Sequence, residues 1–270
     1  MPSPFEEDTR VVPAGEPGRW EAELTDRWDI SVPNGGYVLA VALAAVAAEV
    51  DQPHPLAVSA HFLATCEHGP ATVDVTVLKQ GRSLSTAAAT LWQRDRARVA
   101  VLATYADLRA SNGPTLVSVA PPSLPPPEEC GFIGERPAGG LDERPAIADR
   151  VEFRPSPASA RALASRGAPT RLEGWLRMAE DGPTGPEHLP LLVDASPPAV
   201  FAAFETGWVP TIELTVHVRG VPAPGWLRAR IETRVLVDGE LEEDCMLWDA
   251  DGRVVAMSRQ LARVLPPATR

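Results

Sequence analysis

The chain has 270 residues, enough for two small domains or one large one, and 44% of them are hydrophobic, enough for a substantial core. Lys and Arg number 25 against 36 Asp and Glu, a formal net charge of −11, and a polyanion of this kind has no general electrostatic hold on DNA or RNA. Nucleic acid is therefore excluded as an expected partner, whereas a small phosphorylated ligand is not, because local Arg groups or helix N-termini bind phosphate within an acidic protein.

The polar, Pro-rich stretch 1–19 lacks the apolar centre of a signal peptide, and the most apolar run, 37–48, is too short to cross a bilayer. The expectation is a protein with no membrane partner. Pro33-Asn34-Gly35-Gly36 opens a run of good helix formers to Glu49 with too little polarity for a solvent-facing surface, so a central helix wrapped by sheet is expected. Alternating runs at 56–63, 71–80, 83–93 and 99–108, separated by Gly69-Pro70, Lys79-Gln80-Gly81 and Asp95-Arg96, predict four strands. Ten of the 29 prolines then crowd into 112–158, which predicts a connector without regular helix or central strand. Beyond it, Asp194-Ala-Ser-Pro-Pro198 heads a shorter apolar run, 199–204, read as a second helix. Strands are predicted at 211–218, 227–236, 240–248 and 254–264, with Asp238-Gly239 and Asp251-Gly252 as turns. Cys66, Cys130 and Cys245 are odd in number and far apart, with no CxxC and no clustered His. They predict no metal site and reduced thiols in a cytoplasmic protein.

The order of elements repeats across the connector, and subtracting 156 aligns the halves without a gap. It pairs His217 with His61, Gly225 with Gly69, Leu247 with Leu91, Trp248 with Trp92, Asp251 with Asp95, Val255 with Val99 and Ala256 with Ala100. These are seven identities over 40 positions, against about two or three from average residue frequencies. The boundaries expected are a first domain at 1–110, a linker at 111–160 and a second domain at 161–270.

Pro33-Asn34-Gly35-Gly36-Tyr37, His61-Phe62-Leu63, Gly81-Arg82-Ser83-Leu84-Ser85 and Gln93 resemble the first half of bacterial acyl-CoA thioesterase II-like (TesB-like) proteins. Asp194, Pro210-Thr211, Gly225-Trp226-Leu227, Leu247-Trp248-Asp249, Gly252 and Ser258-Arg259-Gln260 resemble the second. The resemblance implies an α+β double hotdog, two tandem domains each with a long helix wrapped by a curved antiparallel sheet. It also implies hydrolysis of acyl-CoA, a place in lipid metabolism, and an Asp, Thr and Gln trio falling on Asp194, Thr211 and Gln260.

Thioester hydrolysis needs a positioned water, a group that polarises or deprotonates it, and donors for the oxyanion. Asp194 would act on the water, held by the Thr211 hydroxyl and the Gln260 amide, with no covalent intermediate and no cofactor. Backbone N–H groups near Gly35 and Gly36 at the N-terminus of the first helix would meet the oxyanion, Asn34 would join them in binding the substrate, and Arg82 would meet a phosphate of coenzyme A. Taken singly, each residue has an ordinary explanation: Asp194 as a helix N-cap, Thr211 as a strand residue, Gln260 as a solvent-facing amide, Gly35-Gly36 as a turn and Arg82 as a surface cation. The ordered combination favours the chemistry. Trp175, Trp208 and Trp226 are candidates for an acyl channel. His61 and His217 read as packing or polar-network residues, and His54, His68 and His188 as loop residues.

By the same offset Thr211 falls on Pro55 and Gln260 on Thr104, while Asp194 stands opposite Asn34, which predicts one hydrolytic site per chain, at the seam. Competing readings are a non-catalytic acyl-thioester binder and an enoyl-thioester hydratase or dehydratase. The latter needs an Asp and His pair that the first helix lacks. A double hotdog already forms a dimer-like unit, and free sheet edges leave room for a homo-oligomer.

Overall fold

The computed structural model describes residues 2–131, 144–180 and 182–266. A short helix α1 (Pro4–Asp8) and strands β1 (Val11–Pro13) and β2 (Arg19–Leu24) lead into α2 (Gly35–Glu49), followed by β3 (His54–Phe62), β4 (Gly69–Lys79), β5 (Leu84–Gln93) and β6 (Arg96–Ala106). After the Pro-rich segment come β7 (Val151–Pro155), α3 (Pro157–Ser165), β8 (Arg171–Met178), α4 (Leu189–Leu192), β9 (Thr211–Val218), β10 (Leu227–Glu232), β11 (Leu236–Val237), β12 (Glu240–Trp248) and β13 (Val254–Arg263). All eight expected strands form, the run 227–236 splitting into β10 and β11. The segment expected to be a bare connector carries β7 and the start of α3, so its last residues already belong to the second half.

The strands build one antiparallel sheet in the order β1-β2-β4-β5-β6-β3-β9-β13-β12-β10-β8-β7, with β11 against β12. Read from either end, the order visits matching strands of the two halves. The seam is the pairing of β3 with β9, in register Ala57↔His217, Ser59↔Thr215 and His61↔Glu213. Exchanging the halves by 156 residues turns the first of these pairs into the last and leaves Ser59↔Thr215 unchanged, so that pair marks a pseudo-twofold axis. Gly69 and Gly225 share the same left-handed backbone, φ 105° and 114°. Each outer edge is a short strand ending in a proline, Pro13 opposite Trp20 and Pro155 opposite Gly174, the kind of edge that resists further strand pairing.

The repeat loses its gapless register at one turn. Ala256 pairs with Leu247 where Val99 pairs with Leu91, because the β12–β13 turn holds one residue more than the β5–β6 turn. From there the offset is 157. The shared Asp, Val and Ala after the turn are therefore not structural equivalents, whereas the four identities before it are.

α2 is buried almost all round from Gly36 to Val46, as its composition predicts, and the sheet of the first half curves about it. Asn34 starts it: its Oδ1 accepts the Tyr37 N–H at 3.0 Å. Val50 leaves the helix in extended conformation. The second half departs from the expected long helix. Its counterpart is broken into the single turn of α4 and a 3₁₀ turn at Ala199–Ala202, separated by Pro197-Pro198. α2 packs on α4 at Gly36, where an added Cβ would stand 3.0 Å from both Cα and O of Leu191. Gly36→Ala is therefore expected to destabilise the protein by about 1–3 kcal/mol through overpacking, read as a lower denaturant midpoint. Gly113→Ala, where a Cβ meets nothing within 4 Å, is expected to leave the midpoint unchanged.

Candidate functional site

Asp194 follows α4 directly, its N–H bonded to the Leu191 carbonyl at 3.0 Å. This corrects the expected placement: Asp194 does not head a helix of its own half. Its carboxylate crosses the seam instead, where Oδ2 accepts the Gly36 N–H at 2.7 Å and the Asn34 Nδ2 amide at 3.2 Å. A carboxylate there completes the positive end of α2. Asn34 thus caps the helix with its oxygen and holds Asp194 with its nitrogen. Burial pushes the Asp194 carboxyl up to about 6, against the lowering effect of the Gly36 and Asn34 hydrogen bonds.

The Gly36 amide expected to meet an oxyanion is therefore already used. Among the described residues the Gly35 N–H has no hydrogen-bond partner, while the N–H groups of Gly36, Tyr37 and Val38 are bonded to Asp194, the Asn34 side chain and the Asn34 carbonyl. Gly35 borders the carboxylate: a Cβ on it would lie 3.2 Å from Asp194 Oδ2 and 3.1 Å from the Phe62 ring.

Thr211 and Gln260 come together on neighbouring strands. The Thr211 hydroxyl donates to Gln260 Oε1 at 3.1 Å, and Gln260 Nε2 donates to Glu243 Oε1 at 3.0 Å. Glu243 is buried, and its Oε2 accepts the Ala199 N–H at 2.6 Å and the Thr233 hydroxyl at 3.3 Å. Burial foremost, with a contribution from the negative charge of Asp194, pushes Glu243 up to about 7. No hydrogen bond joins Asp194 to Thr211 or Gln260. The negative charge of Asp194 reaches Glu243 instead, and the Cys245 thiol is raised by burial foremost, with Glu243 and Asp194 adding to it.

Glu243 escaped the reading of the sequence. Its signal was a charged residue in phase with Leu241, Cys245 and Leu247 on the buried face of β12. Register also corrects one first-half counterpart. Gln260 lies beside Leu214 and Glu243, and the matching place between Val58 and Ala87 belongs to Ala103, not Thr104. Thr104 bonds Thr86 on the other face. Pro55, Ala87 and Ala103 therefore stand where the second half has Thr211, Glu243 and Gln260.

Other candidates lie elsewhere. Arg82 is exposed in the β4–β5 turn, where its carbonyl accepts from Gln52 just past the far end of α2. The length of that helix, about 22 Å at 1.5 Å per residue, separates it from Gly35. Trp175 is buried beneath Arg228, its Nε1 donating to the Pro125 carbonyl, and Trp226 lies beneath Arg154 and Arg177. His61 and His217 are exposed on the outer face of the seam and not packed. His188, expected in a loop, is buried at the entry to α4 between Glu180 and Glu187, which raise it to about 9. Among the described residues no group of three or more His, Cys, Asp or Glu is placed to hold a metal ion, and no helix is long and apolar enough to cross a membrane.

Comparison with known proteins agrees with this architecture. A family model for the acyl-CoA thioesterase N-terminal domain matches residues 24–107 and one for the acyl-CoA thioesterase C-terminal domain matches 120–264. The chain is 31% identical over 266 residues to the uncharacterized protein Rv0499 of Mycobacterium tuberculosis H37Rv, covering 91% of this chain and 90% of that one. A candidate thioesterase II from Thermobifida fusca YX has a crystal structure that superposes with a TM-score of 0.87 at 35% identity, over 97% of each chain. An acyl-CoA thioesterase II, TesB2, from Mycobacterium marinum shares the fold with a TM-score of 0.75 at 19% identity, over 98% of this chain and 99% of that one. With both of its halves matched and its sheet closed about a pseudo-twofold seam, the chain belongs to the acyl-CoA thioesterase family and is a thioester hydrolase of double hotdog architecture.

Proposed function

We propose that the chain hydrolyses acyl-CoA at one site per molecule, by direct attack of a water that Asp194 activates. The observation that carries this reading is the Asp194 carboxylate set against the N-terminus of α2 beside the Gly35 N–H, which is unpartnered among the described residues. A base and an oxyanion donor thus lie within a few ångströms, and a carboxyl raised to about 6 is ionised at neutral pH yet basic enough to take a proton.

In the proposed step, water oxygen attacks the thioester carbonyl carbon while its proton passes to Asp194. The carbonyl becomes an oxyanion at the positive end of α2, stabilised by the Gly35 N–H. Collapse breaks the carbon–sulfur bond, and the departing thiolate takes the proton back, leaving free acid and coenzyme A thiol. The Thr211 hydroxyl proton is spent on Gln260, so the threonine oxygen offers lone pairs to the water while the second N–H of Gln260 donates. The polar side chains of the site come from the second half because the first has only Pro55, Ala87 and Ala103 at the matching places, while the first half supplies the N-terminus of α2. Three unpaired, buried cysteines fit a reducing, cytoplasmic compartment.

Thiol release from a panel of acyl-CoA esters, followed with a thiol reagent, tests this and identifies the acyl group preferred. Asp194→Asn is expected to lower kcat by about 10²–10⁴-fold with little change in KM. Hydrolysis surviving Asp194→Asn and Gln260→Ala together would refute the mechanism, and measurable binding without cleavage of any ester would leave a binder.

Because Asp194 must be ionised, log kcat is expected to rise with pH through an inflection near 6. Stability should run the other way. A carboxyl raised on folding holds its proton more tightly in the native state, so its contribution is lost as pH climbs from the ordinary Asp range, about 3.9, through 6. Asp194→Asn should accordingly melt above the parent protein at pH 8, with the gap closing by pH 4.

A further inference from the structure

We propose that Glu243 is a positioning residue of the hydrolytic site: its buried carboxylate sets which way the Gln260 amide faces and ties Gln260 to the segment carrying Asp194. This rests on the reading of Asp194, Thr211 and Gln260 as the hydrolytic groups.

An amide has one donor end and one acceptor end, while an ionised carboxylate only accepts. With Glu243 Oε1 at 3.0 Å, Gln260 must turn its nitrogen inward, which leaves Oε1 for the Thr211 hydroxyl and one N–H unassigned. The orientation of two side chains thus follows from the charge of a third. The other Glu243 oxygen holds the Ala199 N–H at 2.6 Å, across Pro197-Pro198 from Asp194. That segment has only single turns of helix to fix it, so the carboxylate supplies an anchor that the unbroken α2 does not need. The first half has buried Ala87 at the matching place and no carboxylate, so the anchor occurs where the polar set occurs.

Among the described residues, hydrogen bonds from Ala199, Thr233 and Gln260 hold the charged form of Glu243, burial and the negative charge of Asp194 oppose it, and Cys245 lies two residues along the same face. Protonated, Glu243 would present an O–H to Gln260 and invite the amide to turn over. Glu243→Gln makes the same demand at every pH while keeping an acceptor for Ala199 and Thr233.

The test is a double-mutant cycle on acyl-CoA hydrolysis with Glu243→Gln, Gln260→Ala and their combination, alongside thermal melts. Glu243→Gln is expected to melt within a few degrees of the parent protein, to lose about tenfold or more in kcat with KM changed less than about threefold, and to have no further effect once Gln260 is Ala. It should also remove an inflection near pH 7 from the kcat profile, leaving the one near 6. Unchanged kcat in Glu243→Gln, or an equal loss in both Gln260 backgrounds, would overturn the positioning role while the hydrolytic reading stands. Full activity in Gln260→Ala would overturn both.

Discussion

The structure depends on the pairing of β3 with β9. These strands join two six-stranded arrays into one sheet, and their register fixes the axis that relates the halves. Side chains alternate across a strand, so a one-residue slip at the seam would turn every inward residue of one half outward. Everything at the seam inherits that register. Asn34 at the head of α2 and Asp194 just after α4 meet each other there, and the N-terminus of one half's helix receives the carboxylate of the other.

That meeting divides the labour between the halves. The first contributes an intact helix, whose buried apolar body holds its N-terminus rigidly in place and whose first turn offers amide donors. The second gives up a continuous helix, and the chain between α4 and β9 is free to place Asp194 and to hang Ala199 on Glu243. Asp194, half-buried, and Glu243, buried, are both costly in charge, and the hydrogen bonds each receives favour the ionised form. A buried charge persists where its partners over-determine it, and here the partners are two main-chain amides, one hydroxyl and two amide side chains, not cations.

Much of this was legible in the sequence. Eight strands announced themselves by alternation and turn residues, and α2 by its unbroken apolar run after Asn34-Gly35-Gly36. Four strands at the two edges, β1, β2, β7 and β8, were not legible; the outermost two, β1 and β7, are short, end in proline and border polar or Pro-rich sequence. The second helix misled for a different reason. The apolar content of 199–204 is real, but those residues pack as a single 3₁₀ turn after two prolines, and the Asp before them turns to the helix of the other half. Asp194, Thr211 and Gln260 stood out through resemblance, whereas Glu243 was hidden among acidic neighbours that face solvent. Burial in phase with apolar residues would have revealed it.

The extra residue between β12 and β13 carries a consequence for how such a duplicated fold diverges. Hairpin loops decide parity. Lengthening the loop by one residue changes which alternate set of the following strand looks into the interior, so Gln260 and Ser258 face inward where a gapless copy of the first half would have turned Arg259 and Met257 toward the core. A half-domain can thus acquire or silence a polar interior through the length of a surface turn, with no substitution on the strand itself.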